Sequence, residues 1–173
     1  MQLLKLLNID NLTEEEIQTY KHRRTVRVIA FDNNSESETQ NKIAFINAKN
    51  RGYYELPGGG VEESESLELG AIREAKEEIG CDIEITGEIG IFKEYIKSKN
   101  LINETFCFIA RVVGEKGDQT LTNKEIAEGK SVMWVDIQEA IRLIRTNPSP
   151  DLYPDSIVRD ETFMMKYLED TAM

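Results

Sequence analysis

The chain has 173 residues, enough for one domain with a substantial core, and 40% of them are hydrophobic. A formal net charge of −11 argues against a polybasic surface for nucleic acid or for an anionic membrane. No run approaches the roughly 20 apolar residues that span a bilayer, and the opening MQLLKLLNID is too short and interrupted for a secretory leader, so a cytoplasmic protein with no membrane partner is expected.

The first 20 residues read as an N-terminal extension, a lid or a homodimer contact, ahead of a single domain over 21–173. Two strand-like runs follow, TVRVIAF and KIAFINAK, joined by the polar hairpin loop from Phe31 to Lys42. GYYELPGGG supplies a further short strand stopped by Pro57 and the glycines. The period then changes. Leu67, Ala71, Ala75 and Ile79 recur every four residues, which predicts a helix with Ser64 or Ser66 as N-cap and Gly80 just past its end.

Beyond it, CDIEITGEIGIFKEYI and ETFCFIARVVG return to strand patterning. A long polar loop, with one helical turn at NKEIAE, leads to a short strand SVMWVD. DIQEAIRLIR is an amphipathic helix capped by Asp136. TNPSPDLYPD is a turn-rich connection, and SIVRDETFMMKYLED a last helix. Strands, helix, strands, helix imply an α/β fold with a mixed sheet covered by helices. Cys81 and Cys107 sit in apolar contexts and read as reduced core thiols; with the single His22, which has no evident partner, they make an unconvincing zinc site.

Glu74, Glu77 and Glu78 lie at i, i+3 and i+4 of the predicted central helix. They fall within roughly a 100° arc of its surface and oppose the apolar stripe, so they are expected to face outward. Like charges at this spacing, near a helix C-terminus, destabilise the helix unless a counter-charge is present.

The surrounding residues supply the context: Gly59, five residues, Glu65, seven residues, then Arg73-Glu74-Ala75-Lys76-Glu77-Glu78-Ile79-Gly80-Cys81. This segment resembles the Nudix box, G-x5-E-x7-R-E-U-x-E-E-x-G-U with U apolar, in all seven fixed positions. A chance match is on the order of 10⁻⁷ per starting position by residue usage. The preceding LPGG looks like the usual lead-in. On this resemblance the chain is similar to the Nudix (MutT-like) hydrolases. The resemblance implies an α/β/α sandwich and hydrolysis of a nucleoside diphosphate linked to another group.

The chemistry suits the residue types. A pyrophosphate repels water and hydroxide. Divalent ions held by carboxylates neutralise that charge and lower the pKa of a bound water. The resemblance implies Glu74, Glu77, Glu78 and the main-chain carbonyl of Gly58 as Mg²⁺ or Mn²⁺ ligands. It also implies that Arg73 orients the glutamates, with Glu65 as a partner. Gly58, Gly59 and Gly60 let backbone approach metal and phosphates. The general base is either a box glutamate or one on the loop before Trp134, where Glu125 and Glu128 stand.

Candidate phosphate cations are Arg27, Lys49 and Arg51. Alternation puts Arg23 and Arg27 on one face of the first strand and Arg24 on the other. Trp134 and Tyr95 are candidates to stack on a base, with packing as the alternative. Glu62, Glu63 and Glu68 are read as solvated surface charge.

The substrate is less legible. No proline lies between Pro57 and Pro148, so the downstream proline of ADP-ribose-hydrolysing members is absent. The proline- and tryptophan-rich NADH-type motif is absent too, and FINAKNRGYYELPGG does not resemble the coenzyme A type. Tyr95 is only a loose match to the tyrosine of dinucleoside polyphosphate members. A small-molecule nucleotide substrate, a triphosphate or a conjugate, is what remains. The alternatives are a non-hydrolytic nucleotide-binding or regulatory module and, less favoured for want of an exposed catalytic Cys, an isoprenoid diphosphate isomerase.

Overall fold

The computed structural model describes residues 1–146 and 154–172, so most of the turn-rich connection expected at TNPSPDLYPD lies outside the described residues. Strand β2 (Lys21–Phe31) and strand β3 (Ile43–Ala48) are apolar at consecutive positions, the pattern of strands buried on both faces. Against one face lies helix α2 (Leu67–Ile79), packing Ala71, Ala75 and Ile79 on Val26, Val28, Ala30 and Phe108. Against the other lie α4 (Ile137–Arg145) and α5 (Pro154–Thr171), which bring Ile141, Ile144, Phe163 and Met164 onto Ile29, Phe45 and Phe92. The result is the α/β/α sandwich that the box implied.

The sheet runs β1 (Leu3–Leu7), β5 (Asp82–Ile96), β6 (Leu101–Val113), β2, β3 and β4 (Tyr53–Glu55), with β7 (Lys130–Val135) also pairing β3. β1 is parallel to β5 and β2 to β6; the other pairs are antiparallel. Leu3–Leu7 hydrogen-bonds into the sheet as an edge strand, and a short helix α1 (Glu14–Ile17), capped by Thr13 and Glu16, leads back to β2. β2 also starts earlier than the apolar run suggested. Its unbroken parallel register with β6 extends from Lys21–Leu101 to Phe31–Arg111, through polar residues that carry no strand signal.

One departure from a simple sheet positions the site. β2 and β3 form the expected hairpin but pair only at Phe31–Ile43, then splay apart. The gap is filled by the chain after β4. Val28 N–H donates to the Pro57 carbonyl (3.0 Å), Val26 N–H to the Gly59 carbonyl (2.9 Å) and Val61 N–H to the Arg24 carbonyl (3.0 Å). The glycine turn thus lies along β2 as an irregular strand, directly beneath α2.

The hairpin loop is tied by Asp32, 1% exposed, which accepts from Ser37 Oγ (2.6 Å), Thr39 Oγ1 (2.5 Å), the Asn34 N–H (3.1 Å) and Lys116 Nζ (2.5 Å). Burial by itself would raise the Asp32 pKa, but Lys116 and the hydroxyls outweigh it and hold the carboxyl well below its usual range. The ionised form therefore stabilises the fold above about pH 4, and that contribution is lost as pH falls toward the depressed native value. Asp32→Asn is expected to cost about 2–3 kcal/mol at pH 7. In urea unfolding, its difference from wild type should shrink as pH falls below about 4.

Candidate active site

Helix α2 starts where the Ser66 side chain accepts the Leu69 N–H (3.2 Å) and ends at Gly80, which adopts the left-handed conformation (φ 68°). Its buried arc comprises Gly70, Ala71, Glu74, Ala75, Glu78 and Ile79. This corrects the outward-facing arrangement expected for the glutamates: Glu74 is 8% and Glu78 1% exposed, and only Glu77 is half-exposed. The reason is the splayed hairpin. One edge of the helix's inner face lies over the glycine turn instead of over apolar strand, and polar backbone there accepts carboxylates. Glu62, Glu63 and Glu68 are exposed.

The turn and the carboxylates are in direct contact. Gly58 N–H donates to Glu78 Oε2 at 2.7 Å. Gly58 has φ 143°, and a Cβ there would stand 2.1 Å from the Val26 carbonyl oxygen. A Cβ on Gly59 would stand 2.4 Å from Glu74 Oε1. Gly58 is thus required by its backbone conformation and its close approach to β2, while Gly59 leaves room for the end of the Glu74 side chain.

Arg73 gathers the outer carboxylates. Its Nε and Nη2 donate to the two oxygens of Glu65 (2.9 and 3.0 Å), and its Nη1 donates to Glu74 (2.9 Å) and Glu77 (3.3 Å). Nη2 also reaches the Gly60 carbonyl at 2.8 Å, tying helix to turn. Burial raises the Glu74 pKa, opposed by Arg73.

The inner carboxylate has a different counter-charge, one the linear sequence did not reveal. Lys130 Nζ, at the start of β7, lies 2.6 Å from Glu78 Oε1, 2.9 Å from Glu55 Oε1 and 3.6 Å from Glu125 Oε1. From Glu55 the ionic chain continues through the sheet. Glu55 Oε2 is 3.1 Å from Arg27 Nη2, Arg27 Nε is 3.8 Å from Asp160 Oδ1, and Asp160 Oδ1 is 2.7 Å from Arg159 Nε. Asp160 Oδ2 also accepts the Leu56 N–H (2.9 Å), fixing the segment that feeds the turn.

The two carboxylates that share Lys130 respond oppositely. Burial, followed by the Glu55 charge, pushes Glu78 up to about 7 against the pull of Lys130 and Arg27. At Glu55 burial also raises the pKa, but Arg27 and Lys130 outweigh it and the net shift is downward. Glu78 is therefore the group of the pair that takes up a proton first.

The remaining candidates divide. Glu125 caps α3 (Asn123–Glu128) by accepting the Thr122 N–H (2.8 Å) and joins the Lys130 cluster. Glu128 is buried at the end of α3 with Lys124 Nζ 4.0 Å away. Lys49 and Arg51 are exposed on the β3–β4 turn, where Lys49 N–H and Asn50 N–H bond the Gly129 and Glu128 carbonyls.

Arg27, expected among the phosphate cations, is 8% exposed and ion-paired with Glu55 and Asp160. Arg23, from the same face, is exposed and lies 3.4 Å from where a Gly60 Cβ would be. Trp134 is partly buried against the α2-side core, with Lys116 Nζ 4.2 Å from its ring centre. Tyr95 is in register with Ile102, with Lys93 Nζ 5.9 Å from its ring centre. His22 is exposed, and both cysteines are free and buried.

The donor set around Glu74, Glu77 and Glu78 consists of oxygens, which suits hard divalent ions such as Mg²⁺ or Mn²⁺. The snug seat of Glu74 against Gly59 and of Glu78 against Gly58 presents those oxygens beside bare backbone. Among the described residues no three acidic or imidazole or thiol groups stand together as a preformed metal cluster, because Arg73 and Lys130 lie between the carboxylates.

A model of the NUDIX domain matches residues 21–155. The uncharacterized Nudix hydrolase YvcI of Bacillus subtilis is 29% identical over 102 residues, covering 59% of this chain; the chain thus spans 63% of that relative, a little under two thirds. Nudix hydrolase 4 of Arabidopsis thaliana is 26% identical over 147 residues, 80% of this chain and 69% of the plant protein. The solved NUDIX hydrolase from Nitrosomonas europaea shares the fold with a TM-score of 0.60 at 22% identity, over 88% of this chain and 90% of that one. The domain match covers most of the chain, the sheet and helices are arranged as in that solved structure, and the box residues meet at one turn: this chain belongs to the Nudix hydrolase family.

Proposed function

We propose that the protein is a Mg²⁺- or Mn²⁺-dependent pyrophosphohydrolase acting on a nucleoside diphosphate linked to a further group. The observation that carries this reading is the seating of Glu74 and Glu78 against the Gly58–Gly59 backbone, with Glu77 beside them and positive counter-charge already supplied by Arg73 and Lys130. Glu74, Glu77, Glu78 and the Gly58 carbonyl hold the ions. Bound divalent ions neutralise the pyrophosphate and lower the pKa of a water.

The chain's own residues do the positioning. Arg73 keeps Glu65, Glu74 and Glu77 in one fan and anchors the turn at Gly60. Arg23, exposed above Gly60, takes the place first assigned to Arg27 as a phosphate contact, with Lys49 and Arg51 at the rim of the α3 side. If the base comes from outside the box, Glu125 is favoured over Glu128, since it stands beside Lys130 and Glu78.

The test is turnover by the purified protein with Mg²⁺ or Mn²⁺ on nucleoside triphosphates, nucleoside diphosphate sugars and dinucleoside polyphosphates. Hydrolysis of at least one class, abolished by EDTA, is expected. Absence of turnover across the panel would overturn the reading in favour of a nucleotide-binding module.

A further inference from the structure

Of Glu74, Glu77 and Glu78, only Glu78 has both oxygens engaged among the described contacts. Glu74 and Glu77 each give one oxygen to Arg73 and keep the other. Glu78 gives Oε2 to the Gly58 N–H (2.7 Å) and Oε1 to Lys130 Nζ (2.6 Å). The carboxylate seated on the glycine turn is thus already held by a cation, and that cation belongs to the protein.

The backbone of Lys130 is fixed, but its side chain has more than one partner. Lys130 follows Gly129, the left-handed residue (φ 68°) that ends α3, and pairs with Ala48 on β3. From there its ammonium reaches a point 2.6 Å from Glu78, 2.9 Å from Glu55 and 3.6 Å from Glu125. An ammonium is a compact charge with three donors on a flexible stem, so it can leave one carboxylate while keeping others. Glu55 stays in place in either case, because Arg27 holds its other oxygen at 3.1 Å. A lysine that lets go of Glu78 therefore has somewhere to go.

A divalent ion on Glu78 disturbs this arrangement. Mg²⁺ sits about 2.1 Å from a carboxylate oxygen, so on Oε1 it would stand within about 5 Å of the ammonium. The Lys130, Glu55 and Glu78 side chains are 8%, 8% and 1% exposed, and like charges this close in a buried site are poorly screened.

We infer that Lys130 is a tethered competitor for the ion position at Glu78. It neutralises the carboxylate while no ion is bound, and it withdraws onto Glu55 and Glu125 when one arrives. Ion binding at this inner carboxylate is weaker for it. This role rests on the reading of Glu78 as an ion ligand. A purely structural lysine predicts the opposite sign, because a loosened site would bind ions less well.

Mn²⁺ binding, read from the electron paramagnetic resonance signal of the free ion, needs neither substrate nor turnover. Lys130→Met, with folding checked by circular dichroism, is expected to bind Mn²⁺ at least about tenfold more tightly than wild type. Lys124→Gln removes an exposed lysine of α3 that lies 4.0 Å from Glu128, and it is expected to change the affinity by less than about threefold. Unchanged or weaker binding in Lys130→Met, or an equal gain in Lys124→Gln, would overturn the competition.

The wild-type protein supplies a second measurement should Lys130→Met not fold. Amine acetylation, quantified by peptide mass spectrometry, is expected to modify Lys130 at least about threefold faster in saturating Mg²⁺ than in EDTA, relative to the exposed Lys99. Equal rates would count against the withdrawal. Tighter Mn²⁺ binding in Lys130→Met, with no turnover of the substrate panel by wild type, would keep the competition and remove the hydrolase reading. Turnover with unchanged Mn²⁺ affinity would do the reverse.

Discussion

Glu78→Gln is expected to lower kcat by at least about 100-fold while leaving the fold intact, the scale of losing one key electrostatic group in an active site. Glu78 is the least exposed of Glu74, Glu77 and Glu78, and both of its oxygens are in use, one by the Gly58 N–H and one by Lys130. An amide of the same shape keeps one acceptor for Gly58, so the seam between helix and turn persists. What it lacks is the negative charge that a divalent ion and Lys130 both respond to. Glu77→Gln is expected to fall by a similar factor for a different reason. Its side chain is half-exposed and tied only to Arg73 at 3.3 Å among the contacts described, so the structure gives it little stabilising role to lose. Full activity in both variants would show that the box carboxylates do not carry the chemistry. The check is kcat on whichever substrate the wild type turns over, beside a thermal unfolding curve for each variant.

The second large effect is on stability. Lys130→Met is expected to cost about 3–5 kcal/mol at pH 8, because it strands buried carboxylates that share one ammonium. The Lys130 and Glu55 side chains are each 8% exposed and that of Glu78 is 1% exposed. Without the ammonium, burial and mutual repulsion raise the carboxylates' pKa values further in the folded state. A raised carboxylate stabilises the fold below its unfolded pKa, and that contribution is lost as pH rises through the native value. The deficit of Lys130→Met should therefore be smaller near pH 5 than at pH 8. Adding Glu78→Gln to it should recover part of the loss, since the double variant no longer buries that unpaired charge. Urea unfolding of the single and double variants at the two pH values is the measurement. A deficit that does not change with pH and is not relieved by the second substitution would mean that the lysine matters for its packing alone.

Several of the positions that shape these expectations carry no mark in the sequence. Lys130 pairs with Glu78 across 52 positions and Asp160 with Leu56 across 104, and no spacing rule reaches that far. Arg27 illustrates the same limit in the other direction. Alternation assigned its face, but what covers that face, Asp160 on α5 with Glu55 alongside, makes it an internal ion-pair partner. Nor does the sequence show that Trp134 is partly buried against the α2-side core with Lys116 over its ring.

The sequence by itself determined the class of the fold, the central helix with its cap and stop, the Nudix box and the chemistry it implies. These are local matters: a helical period, a glycine-rich turn, and a fixed spacing of charged residues within one segment. Only the tertiary structure decided which way that helix faces. Two of its glutamates, read from the helix alone as outward-facing, are buried because β2 and β3 splay after a single pair and the glycine turn takes up the space between them. Burial of a charge depends on what lies opposite it, and here that partner is backbone N–H and a lysine brought in by a distant strand.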